Sequence, residues 1–278
     1  MTRRSPTLLV LGHVTRDVFG EETRLGGAAS FAAQAAVLLG IDTALVTVAP
    51  PDAPELEALR ALPGLELSVA PSEQITTFGL EYSGGRRRLS LLERARSLTW
   101  QDIPPAWRAP ELLYVGPVAG ECDEQLVRSF GDVFAMGCIQ GWLRDPVPGR
   151  LVRPRALPGV CQPPPALKAL SFSASDHPGA ARIAKELAAR GVDVAVTRGR
   201  RGARVSWGTE QCWVPAAPAR EVDPTGAGDV FAFVFGWSRW SGIDAPDAAR
   251  RAALAAARVV EGPGLGTLAE ARHELLQP

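Results

Sequence analysis

Short apolar runs and amphipathic stretches alternate along most of this chain. Leu8-Leu9-Val10-Leu11, Thr43 to Val48, Leu65 to Val69, Leu112 to Val115, Val133 to Met136, Leu167 to Phe172 and Val192 to Thr197 read as strands. Most carry apolar residues on both faces, so the sheet they build is covered on both sides. Helical stretches lie between them: Ala28 to Leu39 stopped by Gly40, Pro54 to Leu62, Asp123 to Phe130 and Pro178 to Arg190. Strands alternating with helices predict an α/β fold, with a mostly parallel central sheet and helices on both faces. Ala203 to Trp207 and Gln211 to Val214 read as an antiparallel pair. Three helices, Gly226 to Trp240, Ala245 to Val260 and Leu268 to Leu276, follow.

Two segments break the pattern. Thr77 to Tyr82 alternates, Ser83-Gly84-Gly85 turns, and Arg86 to Leu92 returns, which is a hairpin with one apolar face through Phe78, Leu80 and Tyr82. Val14 to Leu25 reads as a short strand pair. The two are expected to meet as a small β lid, about 14–25 and 76–92, on a single domain of residues 1–278. Pro146 to Pro165 is rich in Pro and Gly and reads as irregular.

Composition narrows the classes. Lys+Arg and Asp+Glu both number 30 in 278 residues, so there is no basic footprint for nucleic acid or an anionic membrane. No apolar run is long enough to span a bilayer, and the stretch after Arg3-Arg4 is too short for a secretory leader. Cys122, Cys138, Cys161 and Cys212 are scattered, and His13, His177 and His273 show no ligand spacing. Free thiols in a reducing cytoplasm are expected.

The sharpest chemistry lies in Asp223-Pro224-Thr225-Gly226-Ala227-Gly228-Asp229, just before an apolar helix. Amides at a helix N-terminus lack internal partners and attract anions. Gly226 and Gly228 let a phosphate approach the backbone. Asp229 beside it is placed to take a proton from an attacking hydroxyl. The blander alternative is an ordinary tight turn, with Asp229 complementing the helix dipole. Asp17 lies beyond the carboxyl end of the first strand, where open sheets bind ligands. It is either a two-hydroxyl acceptor or a solvated turn residue. Thr197-Arg198-Gly199-Arg200-Arg201-Gly202 follows another strand; Arg198 is a candidate phosphate donor, or the whole turn is solvated.

The string from Asp223 to Asp229 resembles the C-terminal signature of the PfkB (ribokinase-like) carbohydrate kinases. The resemblance implies that Asp229 is the catalytic base and that Gly226, Ala227 and Gly228 form the anion hole. Gly12-x-x-x-x-Asp17 followed by Gly26-Gly27 is similar to the family's N-terminal pattern, which implies that Asp17, Gly26 and Gly27 hold the sugar. One departure is the lack of an Asn after the glycine pair, where Ala28-Ala29-Ser30-Phe31 and then Gln34 stand; a ribose-like grip is therefore not expected. Thr197, Arg198, Gly199 and Gly202 fall on a turn that borders the nucleotide in the family, and Gly264 on a loop near adenine or a monovalent cation. Ser173-x-x-Asp176 stands for the family's Asn-x-x-Glu, so a magnesium role for Asp176 is weakened, with an N-cap for the helix near Pro178 as the equal alternative. Asp223 is the candidate for a monovalent cation such as K+. The implied cofactors are ATP and Mg2+, and the implied fold is ribokinase-like with a lid from these same segments.

Gly26 to Phe31 and Gln140-Gly141-Trp142-Leu143-Arg144 look similar to segments of the myo-inositol kinase branch. A cyclitol or related polyol is thus the first substrate expectation, with Arg144 and the hairpin's Phe78 among its contacts. A pentose, hexose or nucleoside is the runner-up. A non-catalytic sugar or nucleotide sensor is the reading from another class, against which the intact Asp229 counts. No Gly-x-x-x-x-Gly-Lys-[Ser/Thr] occurs, nor a Gly-x-Gly-x-x-Gly after the first strand. An apolar patch outside the lid would pair two chains as a homodimer.

Overall fold

Leu8-Leu9-Val10-Leu11 forms a fully buried strand that sends alternate side chains into two cores. Leu8 and Val10 join one, Leu9 and Leu11 the other, as the two-residue period of a strand requires. The computed structural model describes residues 5–83, 86–155 and 162–270.

In chain order the elements are β1 (Leu8–Leu11), β2 (Thr15–Phe19), β3 (Glu22–Gly26), α1 (Ala28–Leu38), β4 (Thr43–Ala49), α2 (Glu55–Arg60), β5 (Leu65–Pro71), β6 (Thr76–Ser83) and β7 (Arg86–Glu93). Then come β8 (Leu112–Val115), α3 (Glu124–Arg128), β9 (Phe134–Cys138), β10 (Arg144–Asp145), β11 (Arg150–Leu151), β12 (Arg153–Pro154), β13 (Leu167–Ser173) and α4 (Ala180–Ala188). The last are β14 (Asp193–Thr197), β15 (Ala203–Trp207), β16 (Glu210–Val214), α5 (Ala227–Trp240), α6 (Ala245–Val260) and α7 (Gly266–Glu270).

Nine strands make the main sheet in the order β16-β15-β14-β13-β9-β8-β1-β4-β5. Every pairing is parallel except β14 with β15 and β15 with β16. Residues of α1, α5 and α6 pack with Leu8 and Val10 on one face. Residues of α3 and α4 pack with Leu9 and Leu11 on the other. The expected fold class is what forms.

The second sheet has five strands in the order β11-β7-β6-β2-β3. It joins 15–26 to the hairpin through the parallel pairing of Thr15 with Thr76 and Asp17 with Phe78. The pairs Phe78–Leu91 and Leu80–Leu89 turn an apolar face inward. Its fifth strand, Arg150–Leu151, comes from the stretch expected to be irregular. Two residues are too few for a two-residue period to show in the sequence. Two anchors hold this sheet to the rest. Arg16 makes a bidentate ion pair with the buried Glu55 of α2. The Thr76 hydroxyl bonds His13 Nδ1 at 2.7 Å and accepts from the Ala95 amide at 3.0 Å.

Gly84 and Gly85 of the expected turn, the side chain of Tyr82, Cys161, His273 and the end of the helix expected to reach Leu276 lie outside the described residues. No helix among the described residues is long and apolar enough to cross a membrane.

Candidate active site

The N-terminus of α5 is built by a turn in which most amides are already taken. The Asp223 carboxylate accepts from the Thr225 amide at 2.9 Å. The amides of Ala227 and Asp229 donate to the carbonyls of Pro224 and Gly226 at 3.3 and 3.1 Å. This leaves Gly226 and Gly228 as the donors at the helix end, where partial positive charge gathers. The Ala227 amide, expected to share in an anion hole, is turned to Pro224 instead.

The two glycines serve different ends. Gly226 caps the helix at φ 78°, and a Cβ there would lie 2.5 Å from the Phe31 ring. Gly228 has an ordinary φ, and a Cβ would meet nothing within 4 Å. Its missing side chain keeps open space open.

That space is a cavity of about 310 Å³ at the carboxyl ends of the central strands, where α/β sheets hold ligands. Asp229, Gly226 and Gly228 line it from α5, Gly27 from the start of α1, and Thr197 from the end of β14. Thr15, Asp17, Phe78, Leu80 and Leu89 line it from the second sheet. Gln140, Arg144, Ser173 and Asp176 complete the polar wall. Residues far apart in the chain (Asp17, Phe78, Arg144, Asp229) thus share one chamber.

Electrostatics single out Asp229. Burial pushes its carboxyl up to about 7; Arg144 opposes this, while Asp176 and Asp17 add to it as like charges. A carboxylate with a pKa near neutral is poised to take and give a proton. Arg144 is tied to Asp176 at 2.9 Å, with both side chains largely buried. The other Asp176 oxygen accepts from the Ser173 amide at 2.8 Å. Asp176 is therefore not an N-cap; α4 begins later, with Gly179 at that position. Asp17 accepts from the Thr15 hydroxyl at 2.9 Å. Gly26 lies directly under it: a Cβ there would meet the Asp17 carboxylate at 2.5 Å. Gly27, at φ 98°, lets the chain pass the His13 carbonyl into α1.

A second cavity of about 460 Å³ adjoins the first and shares Thr197, Pro224 and Gly228 with it. Its walls are mostly apolar: Ala216 to Ala219, Phe231, Ala253, Ala256, Ala257 and Val260. Gly199 and Gly202 line it as expected, but Arg198 does not. Arg200 does, and pairs with Glu221 at 2.9 Å on its wall. That contact joins residues 21 apart and has no spacing signature. Gly264 lines neither cavity. Asp223 also lines neither; it faces Arg24 of β3 at 3.8 Å, which already supplies a cation. Among the described residues no group of three or more His, Cys, Asp or Glu could hold a metal. Cys138, at the end of β9, lines the first cavity; in the sequence it is only one of four scattered thiols.

Comparison with known proteins bears on this geometry. Residues 166–272 match the model of the pfkB family carbohydrate kinases. A stretch of 101 residues is 36% identical to an inositol 3-kinase of Oryza sativa subsp. japonica, covering 36% of this chain and 25% of that protein. A solved pyrophosphate-dependent kinase in the ribokinase family, complexed with a pyrophosphate analog and myo-inositol, superposes with a TM-score of 0.79 at 20% identity, over 95% of this chain and 98% of that one. Arabidopsis thaliana ribokinase, complexed with ribose and ATP, gives 0.68 at 18% identity over 99% of both chains.

Proposed function

From a chain that carries a pfkB family carbohydrate kinase domain on a ribokinase-like fold, we propose an ATP-dependent kinase acting on one hydroxyl of a small polyol, first of all a cyclitol of the myo-inositol kind. The observation that carries this is the shared chamber. Asp229, with its carboxyl near neutrality, faces the same space as the Gly226 and Gly228 amides and Asp17.

The acceptor lies between Asp17 and Asp229, with Phe78 and Leu80 covering its less polar side. Asp229 takes the proton of the hydroxyl as it attacks the terminal phosphoryl group. The Gly226 and Gly228 amides stabilise the charge that gathers on the transferring oxygens. Arg144 holds Asp176 and favours ionised Asp229. The apolar second cavity supports a nucleoside as part of the donor, a group for which pyrophosphate would have no use.

Magnesium neutralises phosphate charge when bound and is held by few protein groups besides substrate phosphates. Both Asp176 oxygens are engaged, so its part in holding the ion would run through water. Closure of the second sheet as a lid would exclude water and protect ATP from hydrolysis. Leu92 and Leu151, 44% and 46% exposed on that sheet's outer side, support a homodimer through it.

The test is ADP release over a panel of cyclitols, sugars and nucleosides, with ATP and magnesium. Turnover on a cyclitol in clear excess over the others is expected. No ADP from ATP with any acceptor, and no phosphorylated acceptor with pyrophosphate as donor, would overturn the kinase reading. Preference for a pentose, hexose or nucleoside would overturn the substrate alone.

A further inference from the structure

The second cavity is walled mostly by small apolar residues, and only Arg200 and Glu221 bring charged side chains to it. A chain of phosphates lying there carries more charge than one divalent ion cancels. Arg144 sits in the first cavity and is held by Asp176, and Arg198 lines neither cavity. Arg200 stands on the turn Gly199–Arg201, just past Thr197, which lines both cavities. Three residues of chain span at most about 11 Å, so Arg200 starts close to the boundary that Thr197 shares with Gly228. Its turn is pinned. The Arg198 amide donates to the Gly202 carbonyl at 2.7 Å, and a Cβ on Gly202 would overlap the Val214 carbonyl. Glu221 is fixed from the other side, because the Val222 and Asp223 amides donate to the Val260 carbonyl at 2.6 and 3.2 Å.

We propose that Arg200, aimed by Glu221, is the phosphate clamp on the donor side: its two Nη groups take oxygens of the phosphates between the nucleoside and the Gly226–Gly228 helix end. This rests on a nucleoside triphosphate being the donor. The geometry of the pair suits the task. Arg200 Nε donates to Glu221 Oε2 at 2.9 Å, and neither Nη has a partner among the described residues. The edge of the guanidinium that grips two phosphate oxygens is thus open. The Arg200 side chain is 81% exposed, and an ion pair so exposed is weak. Glu221 therefore orients the fork without using it up. The task expected of Arg198 passes to Arg200, because the turn puts the later residue on the cavity wall.

Calorimetry on the full chain with ATP, ADP and adenosine separates a phosphate contact from a merely structural wall. Arg200→Ala should weaken ATP and ADP by about tenfold or more, the usual worth of charge-assisted hydrogen bonds, and leave adenosine unchanged. Arg200→Lys keeps the charge but not the fork, so its loss should fall between wild type and Ala. Arg201→Ala removes an equal charge from the same turn, at a residue that lines neither cavity, and should bind ATP as wild type does. The KM for ATP should follow these affinities while the KM for the acceptor holds. An Arg200→Ala variant with wild-type ATP affinity would overturn the proposal. So would equal weakening of adenosine and ATP, or an Arg201→Ala variant as weak as Arg200→Ala. Wild-type protein that binds neither ATP nor ADP would overturn the nucleotide-donor premise itself, whereas tight ATP binding indifferent to Arg200→Ala rejects only the role of Arg200.

Discussion

At the residue scale, Asp229 couples activity and stability through one equilibrium. Its folded pKa, about 7, lies well above the ordinary carboxylate range, so between the two the folded chain binds a proton that the unfolded chain releases. Stability from this group is full at low pH and is lost as pH rises toward and through 7. On the role proposed for Asp229, activity runs the other way, because a general base must be ionised. The rate should fall about tenfold per unit below pH 7. Asp229→Asn should lower kcat by roughly two to four orders of magnitude and leave ATP affinity in place. The same variant should melt above wild type at pH 8, by roughly 2–4 °C for each kcal/mol relieved, with the gap narrowing below pH 7 and closing only as pH falls to the ordinary carboxylate range. Equal melting temperatures at pH 8 would mean that the carboxylate is not strained by burial. The glycines divide in a like way. Gly226→Ala puts a Cβ against Phe31 in left-handed backbone and should cost stability, about 1 kcal/mol from backbone alone. Gly228→Val should leave the melting temperature nearly unchanged and remove activity, since its side chain enters the phosphoryl space. Loss of stability at Gly228 and not at Gly226, read by thermal denaturation, would reverse this assignment. The Asp223–Asp229 string was readable because its spacing is local. The Arg144–Asp176 pair, 32 residues apart, was not, because only the packed fold brings those two segments together.

Among the elements, the central strands and the helices from α1 to α6 were legible, since each has a long apolar run or an amphipathic period. The second sheet was legible in its hairpin and in 15–26 but not in β11. Its footing on the large sheet lies in Arg16–Glu55 and in the His13–Thr76–Ala95 bonds, contacts that local periodicity does not encode. It also reaches across the chamber: Arg24 of β3 faces Asp223 at the approach to α5. As the lid proposed above, the sheet should respond to ligand as a unit. Hydrogen exchange with acceptor and a non-hydrolysable ATP analogue should show 15–26, 76–83 and 88–93 gaining protection together, while α6 changes little. If those amides ignore the acceptor, the sheet is a fixed wall. Asp17→Ala isolates this side of the chamber. Leaving acceptor hydroxyls unpaired should cost roughly 1–3 kcal/mol, seen as a higher KM for the acceptor, with ATP affinity by calorimetry unchanged.

For the whole molecule, two cavities meet at Thr197, Pro224 and Gly228, one polar and one apolar. Transfer of a phosphoryl group between their occupants can be followed with a label. Purified protein is incubated with γ-labelled ATP, magnesium and myo-inositol, and the polyol is separated and counted, wild type beside Asp229→Asn. Label should pass to the polyol in the wild type at a rate that rises through pH 7, and fall by at least a hundredfold in the variant. Label released only as inorganic phosphate, or transferred equally by both proteins, would contradict the account.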